Sequence, residues 1–146
     1  MCQSSEKARK GFTLVELAVV IVIIGVLAAF GVPRFLKSVE RSKAAESFNY
    51  LSAVRDAQER YIAKEGIYAS ATSLLDITQS NPKYFTVGTV SSSVGSNGES
   101  TWSLQLSRDS ATSSYGAYTV QFNQDGFDNN VSNSSISADI SPMGGN

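Results

Sequence analysis

The sequence lacks histidine altogether and has a single cysteine, Cys2, next to the N-terminal methionine. Histidine is the most common general base and metal ligand at neutral pH, so its absence removes most familiar catalytic centres. One cysteine cannot supply a zinc site of the usual paired spacing. The sequence also has no phosphate-binding glycine loop and no nucleophile elbow. We therefore predict that the chain is not an enzyme.

The sequence has no strong excess of either charge. Twelve lysines and arginines face thirteen aspartates and glutamates, which gives a net charge of -1. Without a basic surface, the chain has no dedicated nucleic-acid site. Its 146 residues are enough for one membrane-spanning element and one compact domain of modest size.

A long apolar run follows the N-terminus. Between Phe12 and Val32 the only charged residue is Glu16. A helix of this length extends about 30 Å, enough to cross the hydrocarbon layer of a bilayer. A carboxylate that faces lipid costs several kcal/mol, so Glu16 requires a partner or a function.

The two ends of this run add information. Basic residues directly before it hold the N-terminus in the cytoplasm, so everything after the run lies on the far side; they are Lys7, Arg9 and Lys10. Near the other end, Gly25 and Gly31 weaken the helix, and Pro33 removes a backbone hydrogen bond. We expect the helix to be loose over residues 25–33, where it would lengthen or bend during assembly.

The residues around Gly11 resemble a known family. The stretch reads GFTLVE, with a short basic leader before the glycine and the apolar run after it. This combination resembles the class III signal peptides of type IV prepilins and of type II secretion pseudopilins. The resemblance implies cleavage after Gly11 by an aspartic prepilin peptidase, followed by N-methylation of the new N-terminus, Phe12. It also implies that Glu16 pairs with the N-terminal ammonium group of a neighbouring subunit.

The physics of the bilayer supports the implied pairing, because an amine and a carboxylate are each costly in lipid and offset one another when they meet. The implied partners are copies of the chain in a homopolymeric filament, the prepilin peptidase and N-methyltransferase, and the inner-membrane assembly machinery. Before assembly the chain would cross the inner membrane once with its head outside the cytoplasm, and afterwards it would lie in an extracellular pilus.

The helical pattern continues past Pro33. Residues 34–65 are amphipathic, with apolar residues three or four apart between charged positions; these are Phe35, Leu36, Val39, Ala44, Phe48, Leu51, Val54, Tyr61 and Ile62. Two ion pairs are expected at i,i+4 spacing, Arg55 with Glu59 and Asp56 with Arg60. Gly66 is a stop signal, which predicts one helix from Phe12 to about Lys64.

Three later stretches have the alternation of strands with one buried face. They read YFTVGTV, TWSLQLS and GAYTVQFN. We interpret residues 66–85 as a loop with one helical turn, and SSSVGSNGES and SRDSATSSYG as exposed loops. A fourth strand near residues 136–140 is a weaker expectation. An antiparallel sheet packed on the amphipathic helix would bury both apolar faces.

The predicted fold class is therefore α+β, a type IV pilin-like lollipop. Residues 1–11 are the cleaved leader, and residues 12–33 are the transmembrane and filament-core helix. Residues 34–65 continue the helix, and residues 66–146 form the globular head with the sheet and a C-terminal loop region.

The C-terminal region needs another means of closure, because many type IV pilins close it with a disulfide and this chain has its only cysteine in the leader. Packing, hydrogen bonds or a metal must replace the disulfide. Oxygen ligands for calcium cluster at Asp125, Asp128 and Asn130, and Asp139 could join them. Phe127 stands where an EF-hand needs a ligand, so a plain turn is the competing interpretation.

The function that combines these features is a structural subunit of a type IV pilus, with the major pilin as the preferred role. This family implies motility, adhesion or DNA uptake. A minor pilin or a type II secretion pseudopilin is the alternative within the family, although the GIYASATSLL stretch lacks the proline found in major pseudopilins. A monomeric membrane-anchored binding domain is the alternative from another class.

Overall fold

The structure is a computed structural model that describes residues 11–143. Apart from Gly11, the predicted leader, with its three cations Lys7, Arg9 and Lys10, lies outside the described residues. The chain divides into two compact units, of which the first ends at Phe35 and the second begins at Leu36.

One long helix, α1, runs over Leu14–Glu65, which confirms the predicted helix. It ends where the sequence predicts, because Gly66 has a φ of +82° and donates its N–H to the carbonyl of Ile62 at 2.8 Å. A left-handed residue after the last turn is the usual way to end a helix, and glycine adopts it without strain. Pro33 lies inside α1, and the chain is helical on both sides of it.

In the second unit, α1 buries one face beginning at Glu40. Nine residues of α1 are buried: Glu40, Ala44, Ser47, Phe48, Tyr50, Leu51, Val54, Ala57 and Gln58. The predicted apolar face was right from Ala44 to Val54. It was wrong at Phe35 and Leu36, which are 67% and 42% exposed because the buried face of α1 begins after them.

The expected ion pairs within the helix were also wrong. Arg60 instead forms a bidentate pair with Asp76, and its Nη2 lies 2.8 Å from Oδ1. Arg55 donates to the carbonyl of Gln124 at 3.2 Å. Partners from the rest of the fold therefore replace the neighbours one helical turn away.

An antiparallel five-stranded sheet follows, which confirms the α+β class. The strands are β1 (Thr86–Val87), β2 (Ser91–Val94), β3 (Ser100–Arg108), β4 (Tyr118–Asn123) and β5 (Gly126–Phe127). Their order is β1-β3-β4-β5, and β2 pairs with the same strand, β3, as β1. The buried residues of β3 and β4 alternate as predicted: Trp102, Leu104, Leu106, Tyr118, Val120 and Phe122.

The core of the second unit lies between these two strands and α1. Phe48 packs edge-on against Phe122, with ring centroids 5.7 Å apart, and Leu51 and Val54 are fully buried in the same cluster. Burying a side chain of this size contributes about 1.5–3 kcal/mol, so this cluster holds the helix on the sheet.

The prediction that residues 91–100 form an exposed loop was wrong for its first half, which is strand β2. The chain turns back at Gly98, whose φ is +84°, and Gly95 donates to the carbonyl of Glu99 at 2.7 Å. This is a three-residue hairpin loop that ends in a left-handed glycine. The register also shifts between β1 and β2, because Val87 pairs with Leu106 whereas Ser91 pairs with Ser103. One extra residue is therefore accommodated as a β-bulge.

The segment after β5 has no strand within the described residues, so the expected strand near residues 136–140 was wrong. Side-chain contacts hold this segment instead. Ile140 is 1% exposed in the core, Lys37 pairs with Asp139 at 2.8 Å, and Arg41 donates to the carbonyl of Pro142 at 3.5 Å. Packing and hydrogen bonds thus hold the C-terminal segment on the second unit.

Candidate assembly site

The helix of the first unit has an apolar surface that no other described residue covers. Fourteen large apolar residues from Phe12 to Val32 are 48–86% exposed. Exposing a continuous apolar surface of this kind to water is unfavourable, because full burial of each such side chain stabilises the protein by about 1.5–3 kcal/mol. The helix is long and apolar enough to cross a membrane. A lipid layer or other protein chains must cover it.

The single carboxylate in this surface, Glu16, belongs to a capping box at the start of α1. Glu16 Oε2 accepts hydrogen bonds from the backbone N–H of Thr13 and from Thr13 Oγ1, both at 2.9 Å, and the N–H of Glu16 donates back to Thr13 Oγ1 at 3.2 Å. This reciprocal pattern satisfies backbone donors that a helix start leaves free. Our sequence analysis missed the role of Thr13, although the spacing Thr-x-x-Glu is a recognised signal for it.

The capping box uses only one oxygen of the Glu16 carboxylate. Within residues 11–143, Oε1 of Glu16 accepts no hydrogen bond, and the adjacent Phe12 is 82% exposed. The carboxylate is therefore oriented by its own helix turn, and one of its oxygens has no hydrogen-bond donor among residues 11–143.

The glycines of the first unit have no structural necessity in the described chain. A Cβ built at Gly11, Gly25 or Gly31 would meet no atom within 4 Å, and none of the three has a positive φ. The fold of a single copy therefore does not require glycine at these three positions. Cleavage at Gly11 and loosening at the other two stay predictions.

A second polar cluster, which the sequence analysis missed, lies buried in the second unit between α1 and the sheet. Glu40 and Arg108 form an ion pair at 2.9 Å, with side chains 2% and 0% exposed. Glu40 Oε1 also accepts hydrogen bonds from Tyr118 at 3.0 Å and from Ser113 at 3.2 Å. Arg108 donates further to the carbonyls of Tyr84 and Thr112, at 3.1 Å and 2.7 Å.

This cluster shifts the titration of its members. Burial raises the pKa of Glu40, but the hydrogen bonds from Arg108 and Tyr118, together with the positive charges of Arg108 and Lys43, outweigh it and leave the pKa below its usual value of 4.5. The pKa of Tyr118 is raised strongly, first by burial and then by its bond to the Glu40 carboxylate. The three groups therefore remain a charged pair and a neutral phenol across the physiological pH range. The cluster ties α1 to β3 and β4 through Glu40, Arg108 and Tyr118.

The candidate calcium ligands do not come together into one cluster. Asp139 pairs with Lys37, and both oxygens of Asp128 accept hydrogen bonds from its own turn, one of them from the backbone N–H of Asn130 at 3.0 Å. Asp125 accepts from its neighbour Gln124. Within the described range, no three side chains among histidine, cysteine, aspartate and glutamate are placed to hold a metal. The calcium hypothesis stays untested.

Comparison with known proteins identifies the N-terminal region. The family model of the prokaryotic N-terminal methylation motif matches residues 7–32. That range contains the leader cations, Gly11, Phe12 and Glu16, and most of the exposed apolar helix. No solved structure matches the chain.

Relatives extend the likeness into the second unit. A type IV narrow pilus major component, PilA5 of Thermus thermophilus, is 37% identical over 116 residues, which cover 78% of this chain and 94% of that protein. The chain belongs to the type IV pilin family. The fimbrial protein EcpC of Eikenella corrodens is 36% identical over 94 residues, covering 64% of this pilin chain and 61% of that protein. The type IV major pilin PilA of Myxococcus xanthus is 42% identical over 60 residues, covering 41% and 27%.

The matches with EcpC and PilA thus span less than two thirds of those proteins. The names of all three pilin relatives describe components of fimbriae or pili, which are structural subunits and not enzymes.

Proposed function

We propose that the chain is a structural subunit of a type IV pilus, with the role of major subunit. It is cut after Gly11, methylated on the nitrogen of Phe12, and polymerised through residues 12–33. The names of two relatives, a major pilin and a major pilus component, support the choice of the major subunit.

One observation carries this proposal. The apolar surface of α1 is exposed along its whole length in the first unit, and its only carboxylate has one oxygen free within the described residues. Lipid acyl chains can cover the apolar surface but offer the carboxylate no cation. Neighbouring copies can do both, because each brings an apolar helix and, after cleavage, an N-terminal amine.

The proposed pairing has a defined division of labour. Thr13 of the same chain holds Oε2 of Glu16, which fixes the direction of the carboxylate. Oε1 then accepts a hydrogen bond from the N-terminal ammonium group of Phe12 in a neighbouring copy. Bringing the two charges together avoids leaving either one unpaired in an apolar environment, where one charged side chain costs at least about 2.5–3.5 kcal/mol. The register between copies follows from this pair.

Before assembly, the same helix would hold the chain in the inner membrane with the second unit outside the cytoplasm. Transfer into the filament exchanges lipid for the helices of other copies. The segment over residues 25–33 is suited to stretching during this transfer, because Pro33 has no N–H for the carbonyl of Ala29 and the two glycines have weak helix propensity. A filament with an unbroken regular helix across this segment would contradict the stretching.

Substitution of Glu16 tests the proposal. The Glu16→Ala variant should insert into the membrane but fail to form filaments, with at least a tenfold loss of subunit in the sheared surface fraction. Glu65→Ala is a matched control, because it removes a carboxylate from the same helix at an exposed position beyond the apolar surface. Immunoblots of the membrane and filament fractions report both quantities.

The outcome separates a subunit from a simple anchor. A monomeric anchor does not need Glu16, so normal amounts of Glu16→Ala in filaments, or equal effects of both variants, would contradict the proposal.

A further inference from the structure

The segment after β5 contains two consecutive acceptor sequences for N-linked glycans. The chain reads NVS from Asn130 and NSS from Asn133, and both fit the pattern Asn-x-Ser in which the middle residue is not proline. Neither has a role in the proposed assembly. The structure distinguishes them sharply, because their carboxamide groups lie in different surroundings.

The carboxamide of Asn130 is accessible. Asn130, Val131 and Ser132 are all exposed. Asn130 Oδ1 accepts the backbone N–H of Ser132 at 3.0 Å, which turns the nitrogen, Nδ2, away from the chain. Within residues 11–143, Nδ2 of Asn130 donates no hydrogen bond, and neither does the hydroxyl of Ser132. Both groups that an acceptor sequence must present are therefore free.

The carboxamide of Asn133 is engaged. Its Nδ2 donates to Asp128 Oδ2 at 2.8 Å, and the backbone carbonyl of Asn133 accepts hydrogen bonds from Gln105 at 2.7 Å and Thr119 at 3.1 Å. The third residue of this sequence, Ser135, accepts the backbone N–H of Thr119 through its hydroxyl at 2.9 Å. Glycosylation at Nδ2 of Asn133 would compete with its hydrogen bond to Asp128, and the backbone bonds to β3 and β4 hold Asn133 close to the sheet.

We propose that Asn130 is the acceptor of an N-linked oligosaccharide transferred from a polyprenyl-diphosphate carrier. In this step a bond forms between Nδ2 of Asn130 and the anomeric carbon of the sugar. The bond from that carbon to the diphosphate oxygen breaks, and its electron pair leaves with the carrier. One amide proton is released, and nothing is oxidised or reduced. The glycan then projects from an exposed turn of the second unit.

This inference rests on the proposed function in one respect, since the transfer takes place on the far side of the membrane, where the second unit is proposed to lie. The experiment therefore reads both on one sample. Filament and membrane fractions are digested with chymotrypsin, which cuts after Phe127, and the peptides are sequenced by electron-transfer fragmentation. A tryptic digest of the same sample reports processing, because trypsin leaves the α-nitrogen of Phe12 on a peptide that ends at Arg34. The chymotryptic peptide from residue 128 reports the glycan and its site.

Two variants at Ser132 form a matched pair. Ser132→Ala removes the hydroxyl that the acceptor sequence needs, whereas Ser132→Thr keeps one, and the position is exposed in both. Wild type and Ser132→Thr should have a hexose- or hexosamine-containing mass added at Asn130. Ser132→Ala should lose it completely, while the fluorescence of the buried Trp102 stays that of the folded protein.

Each result decides between the claims. Filament subunits that begin at Phe12 and have an unmodified Asn130 would overturn the glycan and leave the pilus intact. A glycan at Asn130 in the membrane fraction, with no subunit in filaments, would support the glycan and overturn the pilus. A glycan at Asn133, or one that survives Ser132→Ala, would overturn this inference.

Discussion

Replacing Arg108 with methionine should destabilise the second unit strongly, because it leaves the buried Glu40 carboxylate with Lys43 as its only cation partner among residues 11–143, whose partly exposed Nζ lies 3.6 Å from Oε2. The two side chains are 0% and 2% exposed, and Nε of Arg108 lies 2.9 Å from Oε1 of Glu40. Removing one partner of a buried pair costs about 3–5 kcal/mol. Domains of this size are stable by only about 5–15 kcal/mol, so the variant should have lost a large share of its stability.

The double variant Glu40→Met with Arg108→Met provides the control for this magnitude. It removes both charges, so no buried ion remains uncompensated. We expect its loss to be smaller than the sum of the two single losses by at least about 1 kcal/mol, as for residues in direct contact. The hydroxyl of Tyr118 and the carbonyl of Tyr84 lose their partners in this variant, so it should remain less stable than wild type.

The pH dependence gives an independent check. The pKa of Glu40 is lower in the folded chain than its usual value of 4.5. A carboxyl whose pKa is depressed by folding contributes stability above its unfolded pKa and loses it as pH falls through the folded value. Wild type should therefore lose this contribution below about pH 4.5. The gap between wild type and Arg108→Met should narrow there, because protonation removes the uncompensated charge.

Urea unfolding of the full chain in detergent micelles measures these differences, with Trp102 as the probe. It is the only tryptophan, and it is 2% exposed, so its emission reports the unfolding of the sheet. A loss below about 1 kcal/mol for Arg108→Met would refute the reasoning. So would losses that add in the double variant, or a gap that does not change with pH.

The same assay checks three further changes. Gln58→Leu should cost about 1–3 kcal/mol, because the buried carboxamide exchanges hydrogen bonds with the N–H and carbonyl of Ala69 at 2.8 and 3.0 Å; a neutral effect would contradict this. Ile140→Ala should lower the stability by about 2–5 kcal/mol, because it leaves a cavity in the core. Asp139→Asn should lower it by less than about 1 kcal/mol, because the ion pair with Lys37 is exposed. A larger loss for Asp139→Asn than for Ile140→Ala would mean that the ion pair holds the C-terminal segment. Gly88→Ala should cost about 1–3 kcal/mol, because a Cβ would lie 2.7 Å from a backbone oxygen of β3; unchanged stability would show that β1 yields freely.

The helix and the two long strands could be predicted from the sequence, because each has the period of its own structure. Apolar residues three or four apart marked α1, and strict alternation marked β3 and β4. The end of the helix was also local, since one glycine in the left-handed conformation sets it.

Strand β2 could not be predicted from alternation, because its residues read SSSV and have no apolar face. Backbone pairing with β3 makes it a strand, and that depends on a neighbour in space. The Asn97–Gly98 pair was a usable hairpin signal, but the surrounding serines favoured a loop. Short, polar strands of this kind are the least visible in a sequence.

The polar contacts of the core were also beyond local inference. Glu40 and Arg108 are 68 positions apart, and each alone looks like an ordinary surface charge. The same holds for Arg55 and Arg60, which were expected to pair within the helix. Each contacts a residue elsewhere in the fold instead, because the i,i+4 preference is weak.

The start of α1 has the most local sequence signals, which all lie within six residues. Gly11, Phe12 and Glu16 follow from one motif and the apolar run. The capping box of Thr13 and Glu16 could have been predicted from the same residues. Cleavage after Gly11, methylation of Phe12 and the pairing of Glu16 with another copy stay predictions.

Mass spectrometry of the N-terminal peptide from sheared surface filaments tests the central claim most directly. The account predicts that the peptide begins at Phe12 and has a methyl group on its α-nitrogen. Filaments that contain the chain with residues 1–11 still attached, or filaments that lack the chain in cells that make it, would contradict the account.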